Sequence, residues 1–357
     1  MQSGMALRVQ SLFCDGRSRK RTKVLIATLA IMMWQRHRLW KHRDWGRGLL
    51  LLIIAALRGT LAPKLPAVKR DVHTADDGEQ YCVWWLSHAG KSLETTSARQ
   101  RVWVLIPGGM SDGNDFYIQQ FAQSPGVAQG EDMVVFHPPG QGGTRWKRRF
   151  GHGFTDTSYL HHFLKGLASY SSVAVVGFSA GGLMTVRWAK EAVGPQRVSA
   201  VTICSPENMI EVFDKMSSGI FRLDVFLALY FHMVMRKSGL HKLVRFKRFP
   251  WPPTWRGYIK PFSEHCFALE HEVWRPFEAF VQDEFAETPD APTRAPLLRV
   301  LGAYDPIVPR GCCAQTSEHT ALWFREGSHC DLFYWRPETG LELRRWVLEA
   351  ERVVQET

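Results

Sequence analysis

A serine flanked by glycines is the first feature of this sequence that could do chemistry. Ser179 stands in Gly177-Phe178-Ser179-Ala180-Gly181, a G-x-S-x-G pattern that is typical of a sharp turn from a strand to a helix. An apolar run at residues 173–176 precedes the pattern, and apolar residues at helical spacing follow it. A serine hydroxyl is a weak nucleophile until a general base lies beside it and an acid orients that base. We therefore predict that Ser179 is the nucleophile of an acyl-transfer reaction.

The base and the acid are expected after Ser179 in the chain, the acid first. Asp305 follows an apolar run at residues 297–301, and Pro306 and Pro309 stiffen its loop. His329 follows the run at 321–324, in Gly327-Ser328-His329. Both positions come directly after predicted strands, so we predict Asp305 as the acid and His329 as the base. Asp331 and Asp283 are weaker alternatives for the acid.

An oxyanion formed by such a reaction needs backbone N–H donors aimed at it. Ala180, the residue after the nucleophile, is predicted to give one donor. The loop Pro107-Gly108-Gly109-Met110 is predicted to give the other, with Gly109 as first choice and Met110 as second, because glycines let the backbone approach closely.

Short apolar runs alternate with helical stretches over most of the chain after residue 70. This alternation predicts an α/β fold with a mostly parallel sheet and helices on both faces, whose sites form at the carboxyl ends of the strands. The predicted strands are 81–86, 102–106, 133–136, 173–176, 198–204, 297–301 and 321–324, and the predicted helices include 158–167, 183–193 and 341–354.

The stretch from about 205 to 295 breaks the alternation and is too long for a plain loop. We interpret it as a helical cap inserted into a domain that spans 71–357. Its apolar run at 220–235 fits either a lid that admits apolar substrates or the core of the cap itself.

The net charge of +11 is concentrated in residues 1–70, which carry about 15 basic and about 2 acidic residues. The remaining chain is close to neutral, which argues against a nucleic-acid-binding domain. Two apolar runs of near ten residues, at 24–34 and 49–57, are short for a membrane span. Three interpretations stay open for this segment: a membrane anchor, a targeting peptide that is cleaved in an organelle, and two short helices packed on the body.

Seven cysteines are scattered along the chain, and none forms a C-x-x-C pair. An odd number without such spacing predicts neither a disulfide framework nor a zinc site. We expect mostly reduced thiols in a reducing compartment, and no metal or cofactor.

Six motifs together carry a resemblance to a known family: Asp77-Gly78, Pro107-Gly108-Gly109, Pro139-Gly140-Gln141-Gly142-Gly143-Thr144, Gly177-Phe178-Ser179-Ala180-Gly181-Gly182, Asp305-Pro306 and Gly327-Ser328-His329. With these motifs the chain resembles the α/β-hydrolase superfamily, and more narrowly its membrane-anchored lipid hydrolases and ethyl-ester synthase/esterases. The resemblance covers most of 70–205 and 296–350. It implies an α/β-hydrolase fold and a serine esterase acting on acyl esters of lipid or acylglycerol type, with transfer to alcohols as a variant. A serine peptidase, a thioesterase and a non-catalytic scaffold are the alternatives.

Overall fold

A computed structural model describes most of the chain that the motifs occupy. The described residues are 43–86, 99–109, 111–127, 131–145, 156–191, 197–206, 294–308 and 320–356, with 212, 216, 225, 228, 232 and 236 individually. One compact unit extends from Arg47 to Thr357, and Met1–Gly46 forms another. The sheet and all the predicted site residues that the structure describes belong to the larger unit.

Eight strands form one sheet in the order β1-β2-β4-β3-β5-β6-β7-β8. The β1–β2 and β2–β4 pairs are antiparallel, and all the other pairs are parallel. The mostly parallel sheet predicted from the sequence is therefore confirmed. The strands are β1 Ala67–Thr74, β2 Gln80–Leu86, β3 Arg99–Ile106, β4 Asp132–His137, β5 Tyr170–Phe178, β6 Arg197–Ile203, β7 Leu297–Gly302 and β8 Thr320–Arg325.

Helices cover both faces of this sheet, as the continuous burial of its central strands requires. On one face Phe121 and Phe333 pack among the outward side chains of β3 and β5, and on the other face Tyr159 and Met184 do so. The described helices are α1 Arg43–Leu61, α2 Phe116–Gln123, α3 Ser158–Lys165, α4 Ala180–Glu191, α5 Leu332–Trp335 and α6 Thr339–Glu356.

The sequence patterns did not predict the first strand of the larger unit. The predicted boundary at residue 70 falls inside β1, a polar strand whose sequence, AVKRDVHT, lacks the apolar runs of the other strands. Helix α1 contacts the body through Arg47, which pairs with Glu326 at 3.2 Å and lies over the ring of Tyr304 at 4.2 Å. Among the described residues no helix combines the length and the apolar character that crossing a bilayer requires.

The predicted cap at 205–295 lies almost wholly outside the described residues. Strand β6 precedes this segment in the chain, and β7 follows the segment. In the sheet, β7 pairs with β6 in parallel. The insertion therefore leaves and rejoins the sheet at the carboxyl end of β6 and the amino end of β7. A cap in this region stays a prediction.

Candidate active site

Ser179 occupies a tight turn between β5 and α4. Its φ of 49° lies in the left-handed region, which non-glycine residues rarely adopt. The turn is held from both sides, because the N–H of Ser179 donates to the carbonyl of Ile203 at 2.9 Å and its own carbonyl accepts the N–H of Gly182 at 2.9 Å. The backbone is strained where the side chain must project, as expected for the predicted strand-to-helix turn.

The glycines of the G-x-S-x-G pattern are explained by close packing around this turn. A Cβ at Gly177 would lie 2.5 Å from the carbonyl oxygen of Gly181 and 2.6 Å from the Cα of Gly182. A Cβ at Gly181 would run into the carbonyl oxygens of Ile106 and Pro107 at the end of β3. Any side chain at either position would push α4 away from the sheet.

The structure brings Ser179, His329 and Asp305 together, although about 150 residues separate the first from the second. The Nε2 of His329 lies 2.9 Å from the Oγ of Ser179, and its Nδ1 lies 2.9 Å from the Oδ2 of Asp305. With the carboxylate accepting from Nδ1–H, the other ring nitrogen is free to accept the serine proton. This arrangement can deprotonate Ser179 and stabilise the imidazolium that results.

Asp305 is fixed in a rigid loop after β7. Its side chain is fully buried, and Oδ1 accepts the N–H groups of Ile307 and Val308 at 2.8 and 2.9 Å. The alternative acid Asp331 faces elsewhere: it accepts the N–H of Ser328 at 2.5 Å and the indole N–H of Trp335 at 2.9 Å. Asp331 therefore shapes the loop that carries His329. The other alternative, Asp283, lies outside the described residues.

The glycine loop after β3 lies against the nucleophile. A Cβ at Gly108 would lie 3.2 Å from the Cβ of Ser179, so the two backbones are in close contact. The N–H of Gly108 is already used, because it donates to the hydroxyl of Tyr117 at 2.9 Å. Among the described residues no acceptor pairs with the N–H of Gly109 or Ala180, which fits their predicted role as oxyanion donors. Met110 lies outside the described residues.

Tyr117 on α2 is a residue that sequence reasoning missed. It is buried against Phe178, with ring centroids 5.2 Å apart, and burial raises the pKa of its hydroxyl well above the ordinary value. The hydroxyl therefore stays protonated while it accepts from Gly108. Nothing in the spacing of the sequence indicates this contact, because it depends on how α2 packs on the sheet.

The two largest effects on the pKa of His329 oppose each other. Burial disfavours the charged imidazole, whereas the carboxylate of Asp305 attracts it and accepts its proton donor. The charge and the hydrogen bond win, so the pKa of His329 is raised well above its ordinary value. The neutral ring that can act as a base is therefore formed only on the alkaline side of that pKa.

Replacing Tyr117 by phenylalanine tests the role of its hydroxyl. Tyr117→Phe keeps the ring but leaves the buried N–H of Gly108 without an acceptor, so we expect a loss of about 1–3 kcal/mol in unfolding free energy and a lower kcat. Tyr159→Phe is the matched control, because its hydroxyl donates to Asp77 on the other face of the sheet at 2.6 Å. A kcat that falls equally in both variants would exclude a specific role for Tyr117.

The pH profile of kcat/KM tests the acid. We expect activity to rise with pH along a limb whose midpoint lies above 6.5, because protonated His329 cannot accept the proton of Ser179. Asp305→Asn removes the charge that raises the pKa, so the limb moves to lower pH while the plateau falls by about 10⁴-fold. Asp331→Asn is the control, and a shift there as large as in Asp305→Asn would contradict the assignment of Asp305.

Comparison with known proteins places this geometry in a family. The model of the α/β hydrolase fold matches residues 102–324, which is more than half of the chain. No curated protein sequence matches the chain.

Solved structures include several similar chains at low identity. A bacterial membrane phospholipase A described as a virulence factor shares 15% identity at a TM-score of 0.47, covering 92% of this chain and 99% of its own. The esterase Pf2001 of Pyrococcus furiosus shares 15% identity at a TM-score of 0.45, covering 78% of this chain and 91% of its own. The mouse α/β hydrolase domain-containing protein 10 shares 15% identity at 0.42, covering 81% and 99%. Structural similarity at these TM-scores does not indicate a substrate. The sheet order and the family match together show that the chain belongs to the α/β-hydrolase family and is a hydrolase of that fold.

Proposed function

We propose that this protein is a serine esterase that cleaves carboxylic esters of lipid or acylglycerol type through an acyl-enzyme. One observation carries the proposal: the imidazole of His329 bridges the Oγ of Ser179 and the carboxylate of Asp305 with two contacts of 2.9 Å. A strained serine, a histidine and a buried carboxylate in this line are the arrangement by which serine hydrolases form an acyl-enzyme.

The reaction follows from the positions of these atoms. Ser179 Oγ attacks the acyl carbonyl while His329 Nε2 accepts its proton, and Asp305 stabilises the imidazolium. The N–H groups of Gly109 and Ala180 donate to the tetrahedral oxyanion. The imidazolium then protonates the leaving alcohol, and a water molecule activated by the same nitrogen hydrolyses the acyl-enzyme.

The lipid part of the proposal rests on the N-terminal region. Residues 1–70 carry about 15 basic and only about 2 acidic residues and so account for the net positive charge of the chain, which favours contact with an anionic lipid surface. Helix α1 buries Leu49 and Ile53 against the body and yet exposes Leu50 by 55% and Leu61 by 65%. Exposed leucines on a helix whose inner face is already packed favour insertion into a membrane interface.

The nucleophile is tested by an activity probe. We expect Ser179→Ala to abolish labelling by a fluorophosphonate and the burst of p-nitrophenol from p-nitrophenyl esters, with kcat reduced by about 10³-fold or more. Ser171→Ala is the matched control, because Ser171 is an exposed residue of the same strand. Labelling that survives in Ser179→Ala would show that another residue is the nucleophile.

The same preparations separate the proposed substrate class from its alternatives. A serine peptidase or thioesterase would turn over peptide or acyl-thioester substrates with a higher kcat/KM than matched monoacylglycerols. No turnover of any acyl substrate by the native chain would favour a non-catalytic scaffold.

Membrane association is tested by sedimentation. We expect the full chain to pellet with membranes and to resist carbonate extraction, and the double change Leu50→Gln and Leu61→Gln to lower the pelleted fraction severalfold. Leu341→Gln is the control, since Leu341 is an exposed leucine on α6. Complete release by carbonate would exclude an integral anchor, and a shortened mature N-terminus in mass spectrometry would favour a cleaved targeting peptide.

A further inference from the structure

Two cysteines lie close to His329, and the proposed mechanism uses neither of them. Cys204 follows the last residue of β6, and Cys330 follows His329 itself; both are buried. The two sulfur atoms and a ring nitrogen of His329 all lie within 4.8 Å of one another. The cluster of Cys204, Cys330 and His329 is called the thiol–imidazole cluster below.

Reciprocal contacts hold the two thiols face to face. The S–H of Cys204 donates to the carbonyl of Ser328 at 3.5 Å, and the S–H of Cys330 donates to the carbonyl of Ile203 at 3.7 Å. Each thiol thus reaches across to the segment that carries the other one. Both sulfurs are thereby positioned by the fold before any ligand arrives.

The backbone at the two cysteines is unusual in the same way as at Ser179. Cys204 has a φ of 51° and Cys330 a φ of 59°, and with Ser179 they are the non-glycine residues at positive φ among those the structure describes. Conformations of this kind are unfavourable and cluster at functional sites. The side chains of all three of these residues lie close to the imidazole of His329.

We propose that the thiol–imidazole cluster is a binding site for a soft divalent cation of the Zn²⁺ class, and that the bound cation inhibits the enzyme. Two sulfurs and an imidazole nitrogen are the donors that Zn²⁺ prefers, whereas Mg²⁺ and Ca²⁺ select oxygen. Ligand atoms around a tetrahedral Zn²⁺ lie about 3.5–3.8 Å apart, so atoms that already lie within 4.8 Å need to move by roughly an ångström at most.

Binding is a ligand exchange without redox chemistry. Each thiol releases its proton to solvent, and the sulfur lone pair forms a bond to the cation; the neutral imidazole donates a nitrogen lone pair. The carboxylate of Asp305 lies next to this site through its contact with His329, which adds negative charge near the cation.

Inhibition follows because both nitrogens of His329 are already in use. A cation on Nε2 displaces the hydroxyl of Ser179, and a cation on Nδ1 displaces the carboxylate of Asp305. Either exchange removes a group that the reaction requires. The inhibitory effect rests on the proposed function, whereas the binding itself does not.

The decisive experiment measures binding in a chain that has no nucleophile. Ser179→Ala protein, reduced with a phosphine, is titrated with Cd²⁺, and the ultraviolet charge-transfer band of the cadmium–thiolate bond is followed. We expect saturation at one Cd²⁺ in the cluster and competition by Zn²⁺ but not by Mg²⁺. Added Cys204→Ser or Cys330→Ser should weaken binding at least tenfold.

Matched controls separate this cluster from other thiols. Cys82→Ser replaces a buried thiol on β2 that contacts the indole of Trp84, and the pair Cys312→Ser with Cys313→Ser replaces two thiols adjacent in sequence. Neither change should affect the cluster. A band that responds to either control but not to Cys204→Ser and Cys330→Ser would overturn the proposal.

A cadmium NMR spectrum of the Ser179→Ala chain gives a measurement that needs no cysteine variant. A resonance typical of two sulfur ligands is expected, and one typical of oxygen and nitrogen ligands alone would overturn the proposal.

The activity of the native chain is measured in parallel. Zn²⁺ should inhibit ester hydrolysis reversibly, a chelator should restore it, and the cysteine variants should need at least tenfold more Zn²⁺ relative to their own metal-free rates. Inhibition that is equal in native chain and variants would overturn the inhibitory role. If the native chain hydrolyses nothing, the proposed function fails while the titration still decides whether the cation binds.

Discussion

The hydrogen bond from the N–H of Ser179 to the carbonyl of Ile203 is the contact on which the site depends. It pins the strained turn between β5 and α4 to the end of the neighbouring strand. The same carbonyl accepts the thiol of Cys330, the residue after His329. One oxygen atom therefore positions both the nucleophile and the loop of the base. Both contacts end on Ile203, and the Oγ of Ser179 and the Nε2 of His329 lie 2.9 Å apart.

The parallel sheet extends this arrangement to the acid. Ile203 pairs with Phe178 on one side and with Val300 on the other, so the ends of β5, β6 and β7 lie side by side. Asp305 leaves the sheet two strands away from Ser179 and turns back toward it. Its buried carboxylate would be costly without partners, but two backbone N–H groups and the imidazole satisfy it.

Helix α1 contacts the two loops that carry the acid and the base. Arg47 contacts Tyr304, which precedes the acid, and Glu326, which lies three residues before the base. A helix that exposes leucines on its outer side thus touches both loops of the site on its inner side.

The α/β fold and the positions of Ser179, Asp305 and His329 directly after their strands could be predicted from the sequence. Apolar runs, glycines that tolerate close packing, and the order of three residue types are local properties that a sequence displays directly. Strand β1 was not predicted, because its side chains are mostly polar and exposed. Three contacts could not be predicted in this way: that of Tyr117 with Gly108, that of Asp331 with the loop of the base, and that of Cys204 with Cys330, 126 positions away. Those contacts depend on which strands become neighbours, and spacing along a chain does not contain that information when the partners lie far apart.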